Sequence, residues 1–383
     1  MLIQFHILQN YAPSNLNRDD TGSPKDAIFG GKRRGRISSQ CLKRSIRWSA
    51  AFQDAFRATD LLGVRTKKLP SLIEEELRKL GADDEIVKAI VKRVPEIGRE
   101  SGKKGPENDD NEEMRNEDSA GEVETETKQL IFIAPNELSI LAGKLLESYQ
   151  RIGSRRWPTI KIPEITKDLG DTMPRSVDIA MFGRMTTSSA FENVEASVQV
   201  AHALSTNALS EEFDYFTAVD DLSGETGAGM IGDVEFNSST YYKYLNVHWE
   251  KLVENLGGDV AAARKAVLAL LEAAATAHPT GKQNTFAAFN LPDFILVEVS
   301  ERNLPVSYAN AFLKPAYASG DRTLMDASID LLAGYLEKIS GAYNLTPARA
   351  YLCLTNSSLN GAQKAESLAA LQDWLADQLP AEK

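Results

Sequence analysis

The sequence predicts an α+β protein built on a ferredoxin-like βαββαβ core that is interrupted by large insertions. Three observations predict it. Strand-like segments recur at Leu2 to Gln9, Ser197 to Leu204, Thr240 to Val247 and Phe294 to Ser300. Long helical segments stand between the first and second of these and between the third and fourth. The remaining stretches are too long for ordinary connections, so they read as excursions from the core.

The first strand places Ile3, Phe5 and Ile7 on one face. Its leading residues, MLIQFHILQNYAPS, carry no basic n-region and do not read as a signal peptide. A loop rich in Gly, Asn and Asp is expected to about Ile37. Ser38 or Ser39 then caps a helix expected to reach about Ala58. Gln40, Lys43, Arg44 and Arg47 share one side of it, and Leu42, Ile46, Trp48, Phe52 and Phe56 are assigned to the other.

Helices are expected at Leu69 to Leu80 and Asp83 to Val94. The acidic stretch Ser101 to Lys128 has almost no large apolar residue and reads as a flexible insertion. Leu130 to Tyr149 returns to helix, and Val177 to Phe182 reads as a strand. Ser205 to Val234 is rich in Gly, Asp and Ser. Later helices are expected at Val260 to Ala277, Met325 to Tyr343 and Ala365 to Gln378. The division that follows is a core of 1–58 and 177–383, a helical insertion of 59–176 containing the flexible stretch 101–128, and an excursion at 205–236.

The composition is that of an ordinary globular chain: 383 residues, 43% hydrophobic and 25% charged. No apolar run is long enough to span a bilayer, so no membrane partner is expected. The two cysteines, Cys41 and Cys353, offer neither a disulfide framework nor metal spacing, which fits a reducing, cytoplasmic setting.

The formal net charge is -11, yet positive charge crowds into KDAIFGGKRRGRISSQCLKRSIRWS. Lys25, Lys32, Arg33, Arg34, Arg36, Lys43, Arg44 and Arg47 lie there with a single acid, Asp26. A local field of this kind, rather than the total charge, decides phosphate binding. Gly30, Gly31 and Gly35 would allow close backbone approach, and Ser38 and Ser39 open a helix at its positive dipole end. The segment therefore reads as a cradle for a polyanion. It is not a P-loop, because Asp26 and Arg33 stand where that motif needs Gly and Ser or Thr.

Signals for catalysis are weak. His6, His202, His248 and His278 have no metal-binding spacing, and no nucleophile elbow is present. Asp19, Asp20 and Asp26 could hold a Mg²⁺ for phosphodiester cleavage, although such acids more often position basic side chains or cap turns. No cofactor is expected. RIGSRRW, Arg151 to Trp157, reads as a helix end with a packed Trp. Met185 and Ile231, taken alone, read as core or loop-packing residues. The aromatic signature with which RNA-recognition-type sheets stack bases is missing.

NLNRDDTGSPKDAIFGGKRRGRISSQCLKRSIR closely resembles the CasC family, the repeated backbone subunit of type I-E CRISPR Cascade. VDIAMFGRMTTSS, FTAVDDL, GKQNTFAAFNLPDF and SYANAF resemble the same family in the same order. The resemblance implies a right-hand shape: a modified RNA-recognition-type palm, helical fingers and a thumb-like extension. It implies copies lined up along one CRISPR RNA, each thumb kinking it, with target DNA paired between kinks. Further copies and other Cascade subunits are the implied partners, and the subunit itself has no catalytic role. A metal-dependent ribonuclease backbone subunit that cuts guide-paired RNA is the alternative.

By position, Arg18, Lys25, Lys32, Ser38, Gln40, Lys43 and Arg47 match residues expected on the RNA backbone. Arg33 and Arg34, beside Lys32, Arg44 in the helix, and Lys282 in the GKQNTF segment join that expected set. Arg184 and Met185 fall in the GRM segment, with Met185 resembling an apolar wedge and Ile231 its thumb-side partner.

Overall fold

A computed structural model of the chain describes residues 1–97, 126–161, 164, 174–186, 188, 190–219, 222 and 228–381. The strands are β1 (Leu2–Ser14), β2 (Asp26–Phe29), β3 (Lys32–Ile37), β4 (Val64–Thr66), β5 (Ile131–Ile133), β6 (Val198–Val200), β7 (Ala203–Ser205), β8 (Glu212–Val219), β9 (Ala228–His248), β10 (Phe294–Ser300), β11 (Ala348–Cys353) and β12 (Gln363–Ala365). The helices are α1 (Ser39–Trp48), α2 (Ala50–Phe56), α3 (Leu69–Lys79), α4 (Asp84–Val91), α5 (Pro135–Ile152), α6 (Val177–Phe182), α7 (Trp249–Asn255), α8 (Val260–Thr276), α9 (Gln283–Phe286), α10 (Leu324–Tyr343) and α11 (Leu368–Gln378). Among the described residues, no helix is long and apolar enough to cross a membrane.

The chain divides into two compact units: Met1–Ala55 with Val198–Glu250 and Val260–Lys383, and Phe56–Ser197 with Lys251–Asp259. The second unit thus takes in 56–58, 177–197 and 251–259, which the sequence assigns to the core.

In the first unit, ten strands form one sheet among the described residues, along the path β12-β11-β10-β1-β9-β7-β3-β2. Its centre, β10-β1-β9-β7, is antiparallel. With α1 after β1 and α8 after β9, this is the ferredoxin-like βαββαβ plan. Leu2 to Leu8 are all buried, because helices cover both faces. Leu42, Ile46, Ala274 and Ala277 of α1 and the α8 end meet Lys243 and Leu245 on one face. Met325, Ile329, Leu332 and Leu336 of α10 pack with Leu8, Tyr242, Tyr244 and Leu296 on the other. That second face also buries a carboxylate: Glu298 accepts from His6 Nε2 at 3.1 Å, from the Tyr308 hydroxyl at 2.8 Å and from Arg349 Nε at 2.6 Å.

Two expectations differ from the structure here. The basic segment is a β-hairpin, not a loop: β2 and β3 pair antiparallel, and Gly30 and Gly31 turn it with φ of 60° and 73°. Two successive positive φ values make the tight two-residue turn that glycine favours. The helix after it breaks at Ser49, whose N–H and hydroxyl both bond the Ile46 carbonyl while Phe52 N–H donates to the same hydroxyl at 3.2 Å. One serine thereby ends α1 and starts α2. The described part of the 205–236 excursion is built from strands. β8 pairs with the first part of β9 as a two-stranded ribbon, and β9 runs on unbroken into the sheet.

The second unit packs α3, α4 and α5 around Leu69, Ile73, Leu77, Val87, Ile90, Leu141, Leu145 and Trp157. Trp157 is packed at a helix end as expected, its indole donating to the Ala89 carbonyl at 3.0 Å. Val177 to Phe182 is helix α6 rather than a strand, closed by Gly183 at φ 77°. A short apolar run carries no period that separates the two structures. Most of the stretch 101–128 lies outside the described residues.

Candidate nucleic-acid interface

The loop before the hairpin is fastened to the start of α1. Asn17 accepts the Ser38 N–H on its side chain at 2.8 Å and the Lys25 N–H on its carbonyl at 2.8 Å. Asp19 holds the loop's turn by accepting from the Thr21 N–H at 2.9 Å, the Thr21 hydroxyl at 2.8 Å and the Ser23 N–H at 3.0 Å. These bonds, the Thr21 hydroxyl first, keep its carboxyl below the usual range. Ser38 caps α1 by accepting the Cys41 N–H at 3.2 Å.

The Cys41 thiol is pushed up by burial and drawn back by its hydrogen bond with Ser45 and, to a smaller extent, by the charges of Lys25 and Arg44. Arg18, Lys32, Gln40 and Arg44 are exposed, and Lys25 is half-buried. Lys43 is half-buried on α1 and its ammonium is shifted down by that burial, a cost that an anion beside it would offset. The Arg47 guanidinium lies over the Trp48 ring at 5.5 Å. Lys282 sits half-buried at the start of α9 in a left-handed conformation.

Two arginines leave the expected set. Arg34 is fully buried, and its guanidinium donates to the carbonyls of Thr206 at 2.8 Å, Ser205 at 3.0 Å and Phe312 at 2.6 Å. It fastens the hairpin to two neighbouring chain segments and has no face for a phosphate. Arg184, in the second unit, is also buried, gripping Glu137 with two bonds of 2.6 and 2.7 Å and the carbonyls of Phe132 and Glu192. Arg33 is exposed but neutralised: Asp26 lies 2.5 Å away and Glu211 also pairs with it. The glycines serve the protein as well. A Cβ on Gly30 would stand 2.0 Å from the Leu313 carbonyl oxygen, and one on Gly35 would stand 2.6 Å from the Tyr241 hydroxyl.

Met185 and Ile231 depart from their residue-only reading in the opposite direction. Met185 is 92% exposed next to the buried Arg184, and Ile231 is 62% exposed on β9 opposite Thr217. The described part of the ribbon carries acids and no Lys or Arg, so Ile231 offers apolar surface there rather than charge.

Trp48, expected on the buried side of its helix, is 61% exposed. The signal was present. At about 100° per residue Trp48 stands roughly 40° from Arg44 and roughly 120° from Leu42.

A family model described as CT1975-like protein matches residues 3–379. No curated protein matches the chain. Among solved structures, the chain is similar to one in a "CRISPR RNA-guided surveillance complex, pre-nicking", with 30% identity and a TM-score of 0.80 over 99% of this chain and 100% of that one. It is also similar to a chain of a "CRISPR RNA-guided surveillance complex", with 26% identity and a TM-score of 0.69 over 99% and 100%.

Proposed function

The chain belongs to the CT1975-like protein family, and from that premise we propose that it is a non-catalytic backbone subunit of a type I-E CRISPR RNA-guided surveillance complex. It binds the ribose–phosphate thread of the guide without reading its bases, assembles copy after copy along it, and leaves base edges free to pair with target DNA. The observation that carries this reading is that Asn17 fastens the loop bearing Lys25 to the capped start of α1, along which Gln40, Lys43, Arg44 and Arg47 continue the row. Point charges, amides and a capped helix start suit phosphate and ribose hydroxyls, which every guide presents. Met185 and Ile231 supply apolar surface able to displace a base without identifying it.

The test is charge reversal. Lys25→Glu, Lys43→Glu and Arg47→Glu together abolish co-purification of guide RNA while circular dichroism and the thermal transition stay unchanged. Normal guide loading by that variant defeats the assignment. The ribonuclease alternative finds its acids engaged: Asp26 pairs with Arg33, and Asp19 holds its own turn. A guide-loaded complex incubated with complementary RNA and Mg²⁺ gives no cuts; regularly spaced cuts that vanish in Asp26→Ala reinstate the alternative.

A further inference from the structure

One flank of α1 shares only Arg44 with the backbone grip. Cys41, Arg44, Ser45 and Trp48 share it, next to the row of Gln40, Lys43 and Arg47. This flank opens onto a cavity of about 400 Å³, the size class of small-ligand sites. His278 and Phe289 also line it, together with the small Ala50 and Ala51 at the start of α2. Trp48 and Phe289 are 61% and 60% exposed, so two large rings stand largely open beside one cavity. Arg44 lines the same opening, and none of the lining residues is acidic. Arg47 lies over the Trp48 ring at 5.5 Å, and His278 meets the Phe289 ring edge-on at 5.6 Å. His278 also reaches the Tyr11 hydroxyl at 3.4 Å. Burial, helped by the charge of Lys243, holds its imidazole down to about 4, so it stands neutral at physiological pH with a donor and an acceptor.

Aromatic rings with cations and no acid make the surface that binds unpaired strands by stacking. We propose that this cavity is a base-stacking subsite, in which an unstacked base of a single-stranded nucleic acid lies against Trp48 and Phe289 while Arg44 meets its phosphate. The inference rests on the reading that α1 faces nucleic acid. It goes further, because the backbone row holds no base. Stacking is tolerant of sequence, since every base has a π-face, so the subsite suits a complex that accepts any guide.

The guide, the target strand and the displaced strand of an opened duplex share this chemistry, and the experiment separates them. Guide-loaded complex is given target duplex with a photoreactive bromopyrimidine in one of the three strands at a time. It is then irradiated, and adducts are mapped by mass spectrometry. An adduct at Trp48 or Phe289 is expected in one arm. Trp48→Ala with Phe289→Ala removes it and weakens capture of that strand by about tenfold or more. Trp48→Phe keeps a ring and retains binding, so the loss is stacking rather than misfolding. The subsite is overturned if no arm yields an adduct and the double variant captures all three strands normally, in complexes whose loading still depends on Lys25, Lys43 and Arg47. Protection of Trp48 by another protein subunit, unaffected by nuclease, overturns it equally. Loss of guide loading on charge reversal belongs to the backbone grip, so the two readings fail separately.

Discussion

Arg34 buries a guanidinium on backbone carbonyls, and its Nε is buried without a hydrogen-bond partner. Arg34→Ala strands those carbonyls and is expected to cost about 2–4 kcal/mol of stability, read as a lowered denaturation midpoint. Lys43→Ala, by contrast, is expected to weaken guide binding and leave the midpoint within about 0.5 kcal/mol. Equal effects of the two on stability would refute the division between fastening and gripping residues. Residue type alone shows neither role, because KRR offers three cations and only the alternation of β3 decides which one turns inward. Lys243 makes a separate prediction. It is buried on the sheet with the Ala274 carbonyl at 3.4 Å, and burial brings its ammonium from 10.5 down to about 7. Between those values the unfolded chain holds a proton that the folded chain has shed, so stability rises with pH, on the order of 4 kcal/mol from about pH 7 to 10. Buried Tyr11 and Tyr241, both raised by desolvation, reverse the trend above the ordinary tyrosine range. Lys243→Met is expected to flatten the rise and to stabilise the protein at neutral pH, measured as urea midpoints across that window.

At the scale of elements, the basic hairpin shows what a turn demands. Gly30 and Gly31 both have positive φ, but only Gly30 meets the Leu313 carbonyl, while Gly31 faces open space. Gly31→Ala is therefore expected to cost about 1 kcal/mol of backbone strain. Gly30→Ala adds a backbone clash and is expected to cost several times more in a thermal melt. Two equal costs would mean that strand β3 shifts freely. Elements with long periodic patterns were legible from sequence: β10 ends where expected, and α3, α8 and α10 lie within a residue or so. The hairpin was not, because its Gly-Gly stands between an unbroken apolar run, Ala27 to Phe29, and a charged one, Lys32 to Arg34, and no apolar alternation marks its strands. β8 was hidden by the acids among its aromatics, and α6 by its shortness. Of the interface, the cationic row could be read directly. The exclusion of Arg34 and Arg184 depends on partners far away in sequence, which no local pattern reports.

For the whole molecule, the formal charge of -11 sets copies against one another, and a polyanion brings them together only through local cations. The isolated chain is expected to stay small in light scattering at low ionic strength and to form large assemblies only when guide RNA is added. Assemblies that form equally well after nuclease treatment would indicate that protein contacts alone suffice. One strand gives this arrangement a further property. β9 spans Ala228–His248 without a break, its outer part in the ribbon and its inner part beside β1 in the sheet. The projecting arm is thus rooted in the molecule's central strand and inherits its pleat. Lengthening that arm by one residue pair would move its tip outward by roughly 7 Å with Ile231 still aimed the same way, whereas an odd insertion would invert it. The reach of the arm is quantised, so natural variants of different span should differ there by even numbers.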